Sequence, residues 1–341
     1  MVDLNKQTTV EDLLERIKIS LLCGQRCSWE QGTAAIAFKE LNENNFVLNM
    51  AHDAVVRTGK DGRVATQYNH AVNENAQNDP FVNLEAVLFA YQTTKSEHFL
   101  QALNKHLTSY KNGLKSKDGV YSHLTDKCQI WSDGMFMSPP TLLHLSTIYP
   151  QLEQEAFDQV TGIQKYLQDP VSKLWWHIYD VDQSIFRRKL FWGVGIGWVC
   201  SGITRMVWYL MHSERRSNYK KLFDIIKETL DSVLKYMLED GSFHDVVDDK
   251  STFVEYCLSE HLVYTIYRLV TLKLLSSDYL IQADKMRNAV HHHVDRLGWV
   301  YPVCGSPHFN AAGTSSEGQS LFLMMEAAVR DYHCSLDCKE V

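Results

Sequence analysis

One short turn recurs between helical segments of this chain. Asp61-Gly-Arg-Val, Asp118-Gly-Val-Tyr-Ser-His123, Lys173-Leu-Trp-Trp-His177, Asp240-Gly-Ser-Phe-His-Asp245 and Arg296-Leu-Gly-Trp-Val-Tyr301 share a turn followed by an apolar or aromatic piece. Their starts lie 57, 55, 67 and 56 residues apart. The Asp-Gly pairs supply the turn, and each gap has room for about two helices. A helical hairpin cannot bury its apolar face alone, so neighbouring hairpins must stack. At about 57 residues per hairpin the chain makes about six units, long for an open solenoid. Six such hairpins close into a ring, an all-α (α/α)6 barrel or six-hairpin toroid. The open solenoid is the alternative. No Pro/Gly/Ser-rich linker divides the chain, so residues 1–341 read as a single domain.

Helical periodicity supports this. Thr8 and Glu11 form a capping-box pattern, followed by an apolar stripe of Val10, Leu13, Leu14, Ile17 and Leu21. Leu84, Val87, Leu88 and Tyr91 repeat the spacing, as do Ala156, Val160, Ile163 and Leu167, and a longer stripe runs from Tyr219 to Met237. Further helices are expected near 30–44, 98–111, 139–148, 197–211, 257–275, 278–293 and 316–332. No alternating run of strand length competes with them.

Composition excludes some functions. The formal net charge is −7 and no run of Lys or Arg stands out. Nucleic acid is therefore not an expected partner, because phosphate binding needs a basic face. No window reaches the roughly 18 uninterrupted apolar residues of a membrane span. The N-terminal Met-Val-Asp-Leu-Asn-Lys lacks the apolar core of a signal peptide. A cytoplasmic location is expected, with a secreted form trimmed of its signal as the alternative. Eight cysteines in 341 residues fall short of disulfide density. The chain carries 15 His and 24 Tyr or Trp, an enrichment common in carbohydrate sites.

The strongest candidate for chemistry is Gln129-Ile-Trp-Ser-Asp-Gly-Met-Phe-Met-Ser-Pro-Pro140. Ser138 reads as an N-cap with Pro139 at the first helical position, which puts Asp133 in a turn at a helix mouth. Burial against Trp131, Met135 and Phe136 would raise its carboxyl, as would a nearby like charge from Asp79, and a raised carboxyl suits a general acid. The alternative is that Asp133 caps the helix. Asp79, just before Pro80, is either an N-cap or a second carboxylate in the same cleft. His123 and His177 close two equivalent turns beside aromatics. Trp192-Gly-Val-Gly-Ile-Gly-Trp198 is not a dinucleotide fingerprint; its glycines let the backbone approach a ligand or another helix closely. Cys23 with Cys27 and Cys334 with Cys338 lack the companion His of a metal site. His291-His-His293 reads as solvated, and Glu255 and Glu260 as first-turn carboxylates.

These stretches resemble the unsaturated glycuronyl hydrolases of glycoside hydrolase families 88 and 105, family 105 more closely. The resemblance runs through Trp29-Glu-Gln-Gly32, Asp79, Tyr121-Ser-His123, Trp131-Ser-Asp-Gly-Met-Phe-Met137, His177, Trp192–Trp198, Phe253-Val-Glu-Tyr256 and Gly313-Thr-Ser-Ser-Glu-Gly318. It implies an (α/α)6 barrel and an enzyme that removes a C4=C5-unsaturated uronic acid from the non-reducing end of lyase-generated oligosaccharides. It implies Asp133 and Asp79 as catalytic residues, and Trp29, His123, Trp131, His177, Trp192 and Trp198 as substrate-binding residues. It implies no metal or organic cofactor. Two positions depart from the family pattern. Val194 stands where an Arg is familiar, leaving Arg187 or Arg188 to supply a cation, and Leu124 replaces a Lys that Lys127 could stand in for. Two rival functions follow: an inverting glycosidase on saturated glycans, which needs two carboxyls about 6.5–9.5 Å apart, and a glycan-binding protein that has lost catalysis.

Overall fold

The computed structural model describes residues 9–66, 75–215, 219–305 and 308–337. Six helices form an inner ring: α2 (Ser28–Glu40), α4 (Leu84–Thr94), α7 (Pro139–Leu145), α9 (Gly193–Met211), α11 (Cys257–Thr271) and α13 (Ser316–Asp337). Each contacts the next, and α13 contacts α2, so the ring closes. Outside it lie α1 (Val10–Gly24), α3 (Asn44–Val56), α5 (Glu97–Asn112), α8 (Leu152–Leu167), α10 (Tyr219–Val233) and α12 (Leu280–His292). These pack on α13, on α2 and α4 together, on α4, α7, α9 and α11 respectively. The chain is an (α/α)6 barrel, and the open solenoid is excluded.

Helix sequences match their layers. The outer α10 buries one stripe, with Leu222, Ile225, Ile226, Thr229, Leu230 and Val233 facing in. Inner helices are buried all round: every residue from Ser28 to Phe38 in α2 and from Cys257 to Val270 in α11 is buried. Close approach uses glycine. A Cβ on Gly202 of α9 would lie 2.4 Å from the Met135 carbonyl oxygen, so any side chain there would push α9 off α6 (Gly134–Met137).

The recurring turns are equivalent in three dimensions. Gly62, Gly119, Gly241 and Gly298 have φ of 91°, 83°, 97° and 90°, and Lys173 takes the same left-handed place at 65°. Each turn is spanned by an equivalent backbone bond: Gly59 N to Arg63 O (2.8 Å), Ser116 N to Val120 O (2.8 Å), Asp169 N to Leu174 O (2.9 Å), Leu238 N to Ser242 O (2.9 Å) and Asp295 N to Trp299 O (2.9 Å).

Some expectations need correction. The α1 capping box is Thr9 with Asp12, one residue later than read; Thr8 lies outside the described residues. Helix α3 was not expected, although Val47, Met50, Ala51, Ala54 and Val55 follow helical spacing. Short strands do form. β1 (Gln129–Trp131), β2 (Ile178–Asp180) and β3 (Ile185–Arg188) make an antiparallel sheet, with two-residue or longer ribbons at β4 (Phe243–His244) with β5 (Val254–Glu255), and β6 (Val303–Gly305) with β7 (His308–Gly313). The strands are too short for their alternation to register as a period-2 pattern. Among the described residues no helix is long and apolar enough to cross a membrane.

Candidate active site

The N-terminal ends of the inner helices converge on one cavity of about 210 Å³. Its lining includes all eight residues singled out in the sequence: Trp29, Asp79, His123, Trp131, Asp133, His177, Trp192 and Trp198. Met137, Ile178, Arg188, Val194, Phe309 and Glu317 complete it.

Each acid is carried on a helix start and faces its own imidazole. Asp79 opens a 3₁₀ turn (Asp79–Asn83) with Pro80 behind it; the cap position is Asn78, which makes no side-chain cap bond. Asp133 occupies the N-cap position of α6 and also makes no side-chain cap bond. Nor does Ser138 cap α7 with its side chain. A capping role therefore does not account for either acid. His123 Nε2 lies 3.6 Å from Asp79 Oδ1, and His177 Nε2 lies 3.3 Å from Asp133 Oδ2. Backbone bonds tie the two halves together: Gln77 N donates to His123 O (2.7 Å), His123 N to Gln129 O (2.7 Å), and Ser132 N to His177 O (3.0 Å).

The rings form a continuous run of contacts. His123 lies flat on Trp131, 4.0 Å between centroids and 3° between planes. Trp131 meets His177 edge-on at 5.6 Å, and His177 stacks on Trp192 at 4.3 Å. Nδ1 of His177 and Nδ1 of His123 are buried without a hydrogen-bond partner, while His177 Nε2 faces the Asp133 carboxylate. Buried polar atoms are normally paired, so these atoms suit a ligand. The aromatic donors are held: Trp131 Nε1 donates to Gln129 Oε1 (3.0 Å), Trp192 Nε1 to Asp245 Oδ1 (2.9 Å), and Trp29 Nε1 to Glu317 Oε1 (2.7 Å).

The electrostatics overturn one expectation. Burial pushes the Asp79 carboxyl up, and the Asp133 charge adds to this against the pull of His123 and Arg63. Burial also pushes Asp133 up, but His177 and His123 outweigh it and leave Asp133 below the ordinary value. The neighbour that desolvation reasoning omitted was the imidazole 3.3 Å away. The proton therefore favours Asp79 over Asp133. Burial lowers His177 against the opposing pull of Asp133. Glu317, buried and near Glu30, is pushed up to about 7.

Other readings are settled by contacts. Arg188 lines the cavity with its guanidinium carbon 5.3 Å from the Trp192 ring, whereas Arg187 pairs with Asp180 at 2.8 Å. Lys127 is exposed and does not line the cavity. The Gly-rich segment approaches protein: Cβ atoms on Gly195 and Gly197 would sit 2.5 Å from Ser132 Oγ and 2.3 Å from the His261 ring. His291 pairs with Glu326 at 2.8 Å, so only His292 and His293 are exposed. Glu255 ends β5, two residues before α11, and accepts from Cys257 N (2.7 Å) and Leu258 N (3.0 Å). Glu260 is buried with both oxygens unpartnered. Cys338 lies outside the described residues, and among those described no His/Cys/Asp/Glu group is arranged to hold a metal. Sequence reasoning quoted Glu317 within a motif but gave it no site role, and it gave Phe309 no place at all. Phe309 sits in a β-ribbon with no periodic signal.

The model of Glycosyl Hydrolase Family 88 matches residues 7–316. The chain is 20% identical over 146 residues to the unsaturated rhamnogalacturonyl hydrolase YesR of Bacillus subtilis, covering 40% of this chain and 42% of that protein. It thus spans about two-fifths of the length of that relative. Among solved structures it resembles a possible GH105 member from Salmonella enterica (TM-score 0.81, 15% identity, 97% of this chain and 96% of that one). It also resembles the unsaturated glucuronyl hydrolase of Bacillus sp. GL1 (TM-score 0.70, 13% identity, 95% and 96%). With the family match spanning nearly the whole chain, the protein belongs to glycosyl hydrolase family 88.

Proposed function

We propose that this hydrolase removes a C4=C5-unsaturated uronic acid from the non-reducing end of lyase-generated oligosaccharides. The observation that carries the reading is the pair of buried acids, each facing an imidazole, in an aromatic cavity. The hydrolases of unsaturated uronides named above support it. On this reading residues 1–341 form one catalytic domain, supported by a core that runs from Leu13 to Val329.

Asp133 delivers a proton to C4, and water adds its hydroxyl to C5, with the same carboxylate taking the water's second proton. The product is a hemiketal at C5, which opens and releases the leaving sugar. Asp133, held below the ordinary value by His177 and His123, favours the ionised form before substrate binds. Substrate that displaces water and brings its own carboxylate raises Asp133. Asp79, which favours the proton, is the neighbouring source from which Asp133 is charged. The two acids then titrate as a pair rather than singly. His123, Trp131, His177, Trp192, Trp198 and Trp29 hold the sugar.

Incubation with lyase-generated oligosaccharides tests this. Loss of the ultraviolet absorbance of the conjugated double bond is the expected result. Turnover of saturated glycosides alone would establish the inverting glycosidase, and binding without turnover the lapsed enzyme. Activity should fall as pH rises, because the donor pair loses its proton.

A further inference from the structure

The cavity wall holds three carboxyl groups, Asp79, Asp133 and Glu317, and a single Arg or Lys among its described residues, Arg188. An anionic ligand entering such a site needs a cation, since an unpaired charge in a desolvated cavity is costly. Arg188 is held for that task by the sheet. Trp131 of β1 pairs with Ile178 of β2, and Ile178 pairs with Arg188 of β3. Residues in register across adjacent strands share a face, and all three line the cavity. The flanking residues point elsewhere. Arg187 pairs with Asp180, and Lys189 lies 4.7 Å from the Trp176 ring. Arg188 has no ion-pair partner among the described residues; its guanidinium carbon lies 5.3 Å from the Trp192 ring centroid, and a guanidinium held over a ring keeps its N–H edge available to a ligand.

We infer that Arg188 binds the carboxylate of the substrate, so that the β2–β3 hairpin selects acidic sugars over neutral ones. This rests on the proposed function for the identity of the substrate. The planar fork can meet a carboxylate with two parallel N–H···O bonds, and the hairpin delivers it from outside the inner helix ring.

The test compares an unsaturated disaccharide with its methyl ester, which keeps the double bond and loses the charge. Binding of each is measured by calorimetry to Asp133→Asn, which removes turnover, with and without Arg188→Met. Methionine keeps a long unbranched side chain and removes the charge. Arg188→Met should weaken binding of the acid by about 10- to 100-fold and of the ester by less than about threefold. Arg188→Lys should recover part of the loss on the acid, as a point charge without the fork. Equal loss on acid and ester, or no loss on the acid, would overturn the inference. The functional reading fails separately, if the wild-type protein leaves the double bond intact. Acid-over-ester discrimination that depends on Arg188 would then still uphold carboxylate binding.

Discussion

The two ends of the inner ring handle charge in opposite ways. Towards the C-terminal ends of the inner helices lies a depression of about 360 Å³, larger than the cavity at the N-terminal ends. Most of its charges are paired, with Lys39 outside any ion pair among the described residues and Arg268 Nε buried without a partner. Glu85 bonds to Arg205 and to His144 (2.7 Å), and Arg268 bonds to Glu40 (2.8 Å) and Asp331 (2.6 Å). Lys39 and Arg268 stand in the last turns of α2 and α11, where the helix dipole favours cations. At the N-terminal end, Nδ1 of His123, Nδ1 of His177 and Glu317 Oε2 are buried without partners, and the Asp133 charge acts on Asp79. Size would choose the wrong end. The greater number of buried unpartnered polar atoms marks the N-terminal end, because a largely paired network leaves a ligand little to complete.

The difference gives the two ends opposite pH dependences. Arg205 and His144 outweigh the burial of Glu85 and hold it well below the ordinary value. Its contribution is present above the unfolded value and lost as pH falls through the folded one. Behind Trp192, burial pushes Glu255 up to about 8 from 4.5. That contribution is present at low pH and lost as pH rises towards about 8.

The largest expected effect is at the paired end. Glu85→Gln leaves Arg205 buried opposite a neutral amide and should cost about 3–5 kcal/mol in denaturant unfolding, with turnover per folded molecule unchanged. A loss of turnover without a loss of stability would break the contrast. Next comes Glu255→Gln, which should remove a stability slope of up to about 1.4 kcal/mol per pH unit between the unfolded and folded values. Unfolding curves at a series of pH values read this directly, and an unchanged slope would show that Glu255 is ionised throughout. The smallest is Trp198→Phe. Trp198 belongs to both regions, lining the cavity while packing 4.6 Å from Phe136 and 4.7 Å from His261. Loss of its ring contacts should weaken transition-state binding by about 0.5–1.5 kcal/mol, seen as a raised KM. A melting-temperature loss with intact kinetics would assign it to the core alone.

The barrel was legible because the turn repeats. Asp-Gly at 61, 118 and 240 marks a left-handed position that every unit needs, and aligning the units there also placed Lys173 and Gly298. Outer helices announced themselves by their stripes. Helix α3 did not, since Asn44, Asn45 and Asn49 dilute a stripe that is present. The positions of the acids were legible, but their protonation was not. Desolvation can be read from neighbours in sequence, whereas the imidazole beside Asp133 arrives from 44 residues away. Arg187 and Arg188 could not be told apart without the register of β2 with β3.

The central claim is that Asp133 delivers the proton to the double bond. It is tested by kcat of purified Asp133→Asn on an unsaturated disaccharide, read by ultraviolet absorbance. Because the Asp133 carboxylate caps no helix, the melting temperature should be kept. The predicted loss in kcat is at least about 100-fold, the lower end for a general acid. Retention of more than about a tenth of the wild-type kcat would contradict the account, since it falls far below what such an acid contributes.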